Sequence, residues 1–506
     1  MSQFHSILSR RDFMKSLGLA SAGIGAASLG GVNAAAPFFH DVDEITSSPS
    51  AITKKPWWVK LQDKPTVPMD LSLLQPGRTK VWCMPPDDPS GPVTLRAPGY
   101  SEEETRQKFT DYFKKEWGTW DPGPTMEGFG DFPERTTEHI GPIRDNALLA
   151  GLMPFLFGKL PDEIIAAEKG QYLSYLLDKP CGWRYAAPLE QRGGTKWQGT
   201  PEENLRTVRA AARFYGADDV GAIEVDEDFL RVMWGVSRFP FIPVPVQFEW
   251  GDVDDFVPTP SATRPTKIII PRRCKYFVHW TMRQPPSRLK HDSGTQQGPS
   301  QGWTYSRNPM VNVNIQEFLW GLGYIALTNW SGYLIPTGYA GVASGAGELS
   351  RWSGVLTPKF GNQVRGMYGF LTDLPLAPTK PINFGGYEFC KTCGICADAC
   401  PMGAIQKGEP SWDASEIWQN PGYLGWRLDL TKCSHCPVCQ GVCPFNTTDD
   451  SFVHNLVKGT IPNIKLFNGF FANMERDFGY GRKPYEDWWE NAADGKEPVF
   501  GIDSTQ

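Results

Sequence analysis

The stretch PEENLRTVRAAARFYGA (201–217) places Leu205, Val208, Ala212 and Tyr215 on one helical face and its charges elsewhere. Pro201 and the two acids behind it suit a first turn, and Gly216 follows the last apolar position, so the pattern predicts a helix with both ends marked. DDVGAIEVD (218–226) then reads as a strand, and KIIIPRRCKYFVHWTM (267–282) as strand on both sides of Pro271. NIQEFLWGLGYIALTN (314–329) predicts a helix that passes through a Gly-Leu-Gly turn into a strand. Helical patterns also run through GPIRDNALLAGL (141–152) and PDEIIAAEKGQYLSYLLD (161–178). Helices alternating with strands predict a mixed sheet-and-helix domain, α/β or α+β, over 180–380, which FLTDLPLAP (370–378) closes. Residues 37–140 differ. They are rich in Pro, Gly and Trp, as in KPWWVK (55–60) and EWGTWDPGP (116–124), and predict irregular structure wrapping a core.

The N-terminus has a pattern of its own. SRRDFMKSLGLASAG (9–23) sets Arg10 and Arg11 before Phe13 and Lys15, and a weakly apolar Gly/Ala/Ser stretch follows to Ala36. This is the form of a twin-arginine export leader, with cleavage expected after Ala34. That route carries folded chains, which suits a protein that acquires its cofactor in the cytoplasm. No later stretch reaches about 18 uninterrupted apolar residues, so a hold on the membrane requires a partner protein. A length of 506 residues suggests about three domains. The net charge of -6 and the lack of a long basic run exclude a nucleic-acid partner. Aromatic residues make up 13% of the chain, which fits either large aromatic cores or an aromatic-lined pocket for an apolar ligand or a flat cofactor.

Cysteine usage narrows the chemistry. Cys83, Cys181 and Cys274 are scattered, whereas the other eight fall in CKTCGICADACP from Cys390 and CSHCPVCQGVCP from Cys433. Both runs read C-x2-C-x2-C-x3-C-P, the spacing that gives three thiolates to one [4Fe–4S] cubane and the fourth to its neighbour. One cluster is therefore assigned to Cys390, Cys393, Cys396 and Cys443, and the second to Cys433, Cys436, Cys439 and Cys400. In this reading the fourth cysteine of each run starts a helix, and Pro401 and Pro444 keep helix from running through the ligands. Structural zinc needs only two C-x2-C pairs, and adjacent triples are poor disulfide geometry. No dinucleotide G-x-G-x-x-G, Walker loop, G-x-S-x-G elbow, H-E-x-x-H or D-x-H-x-x-G motif is present.

With these motifs in order, the chain resembles the respiratory reductive dehalogenases, through the leader, KPWWVK, IIIPRRCKY, YSRNPM, GLGYIAL, GELSRW, FLTDLPL, both cysteine runs and the tail LFNGFFANMERDFGYG. The resemblance implies an α+β fold: a nitroreductase-like corrinoid-binding core with a ferredoxin-like 2[4Fe–4S] domain near the C-terminus. The expected divisions are a signal peptide (1–36), a wrapping region (37–180), a catalytic core (181–380), the cluster domain (381–450) and a tail packing on the core (451–506). It further implies a base-off cobamide, a small organohalide as substrate, leaning to chlorinated ethenes or alkanes, and replacement of halogen by hydrogen as the terminal step of organohalide respiration. A small integral-membrane anchor, an upstream electron donor and the outer face of the cytoplasmic membrane follow from the same resemblance. By it, Tyr305 is the proton donor, Arg365 its supporting cation with Arg351 as alternative, and Asn329 an amide partner. Gly345 and Gly347, in the small-residue loop PTGYAGVASGAGELS (336–350), are the expected contacts to the corrinoid. The rival readings are an epoxyqueuosine-reductase-like enzyme and a non-catalytic iron–sulfur electron-transfer subunit.

Overall fold

The computed structural model describes residues 55, 56, 58–80, 102–118, 144, 145, 148, 179–237, 246–259, 265–291, 298–415, 419–446, 452–462, 464–479 and 483–494. The leader, the helix expected at 161–178, Cys83 and most of the wrapping region lie outside them. Residues from Pro56 onward form one compact unit.

Its centre is a four-stranded antiparallel sheet in the order Asp219–Glu224, Tyr276–Arg283, Val364–Thr372, Ala326–Thr328. The strand Tyr276–Arg283 is buried at all six inner positions, which explains its lack of apolar/polar alternation. Its two faces meet different helices. Trp280 donates from Nε1 to Asn308 on the long helix Pro299–Leu322 (3.2 Å), whereas His279 Nδ1 lies 3.1 Å from Ser344 Oγ, just beyond the short helix Thr337–Ala343. The sheet is thus sandwiched between helices, with Phe277, Val278, Trp280, Phe370 and Leu371 fully buried within it.

The helix predicted from 201 spans Pro201–Phe214, opened by a capping box in which Thr200 and Glu203 bond reciprocally; Leu205, Val208 and Ala212 are buried as predicted. The two strands predicted around Pro271 belong to different sheets. Lys267–Pro271 joins a five-stranded mixed sheet with Thr79–Lys80, Val236–Ser237, Val246–Gly251 and Val257–Thr259. A turn from Pro271, closed by the Cys274 amide at 3.0 Å, then carries the chain into the central sheet. The long helix begins at Pro299, well before the predicted start, and so carries Tyr305. It ends at Gly323, whose φ of +89° is left-handed.

The cysteine segment is partly helical. Cys390 and Cys393 ride on the helix Gly386–Cys393, and Cys396 on Ile395–Asp398. Cys439 lies on Val438–Gly441. Cys400 and Cys443 follow these helices rather than starting new ones, and the chain turns at Pro401 and Pro444. Backbone pairing of 404–406 with 427–429 joins the two runs (Asp429 N to Ala404 O, 2.8 Å; Gln406 N to Arg427 O, 3.2 Å). In the tail, Asn468–Phe478 packs on the helix Gly386–Cys393, and Trp489 Nε1 donates to Asp145 at 3.0 Å.

Candidate active site and cysteine centres

A cavity of about 360 Å³ lies between the central sheet, the long helix and the cysteine segment. Its wall is mainly apolar and aromatic, with Trp234, Tyr339, Trp352, Tyr368 and Tyr423 among the lining residues. Tyr305 reaches it from the long helix and Arg365 from the strand Val364–Thr372. Between Arg365 and Tyr368 the strand register shifts: Arg365 pairs with Met282, yet Tyr368 pairs with Trp280, so one residue is extra. Such a bulge re-aims the side chains at its edge. Here Arg365 Nε donates to Tyr305 Oη at 3.0 Å, with its guanidinium 5.7 Å from the phenol ring centre. Burial works against the Arg365 charge, but Tyr305 and the thiols of Cys439 and Cys433 outweigh it and hold the pKa above the usual arginine value. A permanently charged donor therefore faces a phenol at the cavity wall.

The other residues singled out from the sequence lie elsewhere. Asn329 is fully buried and away from the cavity wall. Its Oδ1 accepts from the amides of Leu334 (2.6 Å) and Ile335 (3.0 Å), and its Nδ2 donates to Ile335 O at 3.4 Å. Its amide closes a turn and is not aimed at Tyr305. Arg351 is likewise not beside the phenol. It donates to the carbonyls of Cys390 (2.8 Å) and Gly408 (2.8 Å), so it fastens the first cysteine run to the core. Gly345 and Gly347 do not line the cavity: a Cβ there would stand 2.2 Å from Lys380 O and 2.1 Å from Leu356 O. They permit close backbone packing. The expected loop is instead the helix Thr337–Ala343 and the strand Glu348–Leu349, and it meets the cavity through Pro336, Thr337, Gly338, Tyr339, Val342 and Leu349. At Gly338 an added Cβ would meet nothing nearer than Ser353 O at 3.8 Å, an ordinary contact, so this part of the wall has room for a side-chain carbon.

Sequence reasoning missed three basic residues of the wall. Arg78 donates from Nη1 to Asn420 Oδ1 (2.7 Å) and stacks over Trp234; burial lowers its pKa to about 10. Lys80 is buried and pulled well below the ordinary lysine value by the same cause. Arg427 lies 3.8 Å over the Tyr423 ring. No Asp or Glu is among the described lining residues. Two cations two positions apart in GRTKVW were the available signal, but nothing in the sequence showed that they point inward.

The cysteines come together across the two runs. Cys390, Cys393 and Cys396 line a small cavity with Cys443. Cys433 and Cys439 lie within electrostatic reach of Cys400. Burial pushes Cys390 and Cys433 up to about 11 and Cys393 to about 12. Such crowded, buried thiols become thiolates when a metal centre takes their protons' place. Among the described residues no three His, Cys, Asp or Glu side chains gather as closely as a single ion requires. In a cubane each thiolate meets its own iron, which is compatible with that wider spacing.

Residues 178–376 match the family model described as reductive dehalogenase subunit, and residues 389–447 match the 4Fe–4S dicluster domain. The chain is 33% identical to a chloroethene reductive dehalogenase of Dehalococcoides mccartyi strain VS, over 99% of both chains. It is 32% identical to a trichloroethene reductive dehalogenase of another strain of that organism, over 99% of this chain and 98% of the other. A solved reductive dehalogenase, described with a mechanism for B12-dependent dehalogenation, has the same fold: TM-score 0.55 at 19% identity, over 86% of this chain. This chain spans about half of that larger protein (52%). The paired cysteine runs, the mixed sheet that precedes them and full-length identity of this order together place the chain in the reductive dehalogenase family.

Proposed function

We propose that the chain is the terminal reductase of an organohalide respiration, replacing chlorine by hydrogen on small chlorinated alkenes such as chloroethenes: R–Cl + 2 e⁻ + H⁺ gives R–H + Cl⁻. The observation that carries this reading is the Arg365–Tyr305 hydrogen bond on the wall of a mainly apolar cavity beside the cysteine centres. The full-length likeness to enzymes named for chloroethene and trichloroethene supports the substrate class.

Tyr305 holds the transferable proton on Oη. Arg365, which donates to that oxygen, stabilises the tyrosinate left after donation. The apolar wall limits water at the reacting carbon, and Gly332 and Gly338 keep side-chain bulk off the wall where a flat ring system would lie. A cobamide would lie against that wall, and when bound it would supply low-valent cobalt chemistry toward the carbon–halogen bond. Cys390, Cys393, Cys396 and Cys443 would hold one [4Fe–4S] cluster, and Cys433, Cys436, Cys439 and Cys400 the other. The twin-arginine pattern at Arg10 and Arg11 supports export to the outer face of the cytoplasmic membrane. There a small membrane anchor would hold the protein, and an upstream donor would reduce the clusters.

Anaerobically purified protein with reduced viologen should convert chloroethenes faster than chlorinated phenols and carry both cobalt and iron. Tyr305→Phe should lose about 100-fold or more in turnover at unchanged cobalt and iron. Full turnover in that variant would remove Tyr305 from the chemistry, and iron without cobalt in the wild type would reduce the protein to an electron carrier.

A further inference from the structure

The guanidinium of Arg365 is held at two points. Nε donates to Tyr305, and Nη1 donates to Gln440 Oε1 at 3.1 Å. Gln440 has no accessible surface, and its amide cannot turn. Nε2 donates to the carbonyls of Asn362 (3.0 Å) and Val364 (3.2 Å), so the oxygen must face Arg365. The same oxygen accepts from Gln301 Nε2 at 3.3 Å, and Gln301 stands one turn before Tyr305 on the long helix. Asn446 Nδ2 fixes the Gln440 backbone through its carbonyl at 2.7 Å. One oxygen atom therefore orients the cation and touches the helix that carries the phenol. Gln440 directly follows Cys439, so the side chain that aims the proton-donor pair belongs to the loop assigned to the second cluster.

We propose that Gln440 is a positioning residue for proton delivery: its Oε1 fixes the plane of Arg365, and Arg365 in turn fixes the Tyr305 hydroxyl toward the cavity. The proposal rests on the reading of Tyr305 as donor. Neither partner can be replaced by a neighbour in this geometry. The carbonyls of Asn362 and Val364 are occupied by Nε2, and the amide oxygen is the acceptor that the Nη1 side of the fork uses.

Gln440→Met keeps the side-chain length and removes the acceptor. In the full-length holoenzyme it should lower kcat about tenfold or more with KM little changed, since misaimed groups slow chemistry more than binding. The solvent deuterium isotope effect on kcat should rise, because proton transfer becomes slower. Iron, cobalt and the electron paramagnetic resonance spectra of the reduced clusters should match the wild type. Gln440→Glu, which keeps an acceptor for Arg365 but loses both Nε2 bonds, should recover only part of that loss. In a Tyr305→Phe background, Gln440→Met should cost less than a further twofold, because it acts through the phenol. Wild-type kcat and isotope effect in Gln440→Met would overturn the proposal. So would loss of iron or altered cluster spectra, which assign Gln440 to holding the cluster loop, or an undiminished further loss in the Tyr305→Phe background. Full turnover of Tyr305→Phe alone defeats the donor assignment instead; a dead Tyr305→Phe beside a normal Gln440→Met defeats only the role of Gln440.

Discussion

Asn329 shows what a buried amide does when it is not at the chemistry. Three hydrogen bonds to the backbone of Leu334 and Ile335 depend on it. Asn329→Ala should lower stability by about 2–4 kcal/mol, seen as a lower unfolding temperature, while enzyme that remains folded keeps its turnover. Asp218 gives a pH effect of determined sign. Burial pushes its carboxyl up to about 7, although the Arg283 amide and the nearby charges of Arg283 and Lys359 pull downward. Between the usual carboxylate range and 7 the native state keeps a proton that the unfolded chain has released. Its stabilising contribution is thus complete at low pH and lost as pH rises through that window. Unfolding midpoints between pH 5 and 8 should fall less steeply with pH in Asp218→Asn than in the wild type. Tyr305 and Arg365 were legible only through the family resemblance that their short motifs carry, and they do meet in space. Gln440 was not, because an amide beside a cysteine run has no distinguishing pattern until its partners, 75 and 139 residues away, are in place.

Elements with strong local signals formed where the sequence marked them. The helix opening at Pro201, the break at Pro271 and the Gly-Leu-Gly turn that ends at Gly323 all depend on neighbours within a few residues. The segment 336–350 was misread because its glycines serve two purposes that composition cannot separate. Gly338 has room for a Cβ at ordinary contact distance, whereas Gly347 is pressed against the strand Val355–Leu356. Gly338→Ala should therefore be tolerated in stability but narrow the cavity. Gly347→Ala must displace backbone, and should cost several times as much in thermal unfolding. The cysteine spacing announced its chemistry yet not its secondary structure. Short helices carry four of the eight thiols, since ligand spacing constrains where sulfurs end and says less about the backbone between them.

At the scale of the molecule, the cysteine segment is sewn into the core rather than hung from it. Arg351 grips the carbonyls of the first run, Glu348 accepts from the amides of Phe384 (3.1 Å) and Gly386 (2.7 Å), and Gln440 and Asn446 bind the segment around Asn362. The crossed ligand assignment makes one test of this arrangement. Cys400→Ser should damage the cluster whose other ligands are Cys433, Cys436 and Cys439, leaving the spectrum of the other largely intact. Loss confined to the first-run cluster would instead mean that each run serves its own cubane. The basic lining has a consequence for how the enzyme can be driven. Arg78, Arg365 and Arg427 face the cavity without a carboxylate among its described residues. A cationic dye such as a reduced viologen is repelled there, whereas neutral haloalkenes pass and the chloride they shed meets favourable charge. Electrons from such dyes should accordingly enter through the iron–sulfur segment, and added chloride should compete where the leaving group departs.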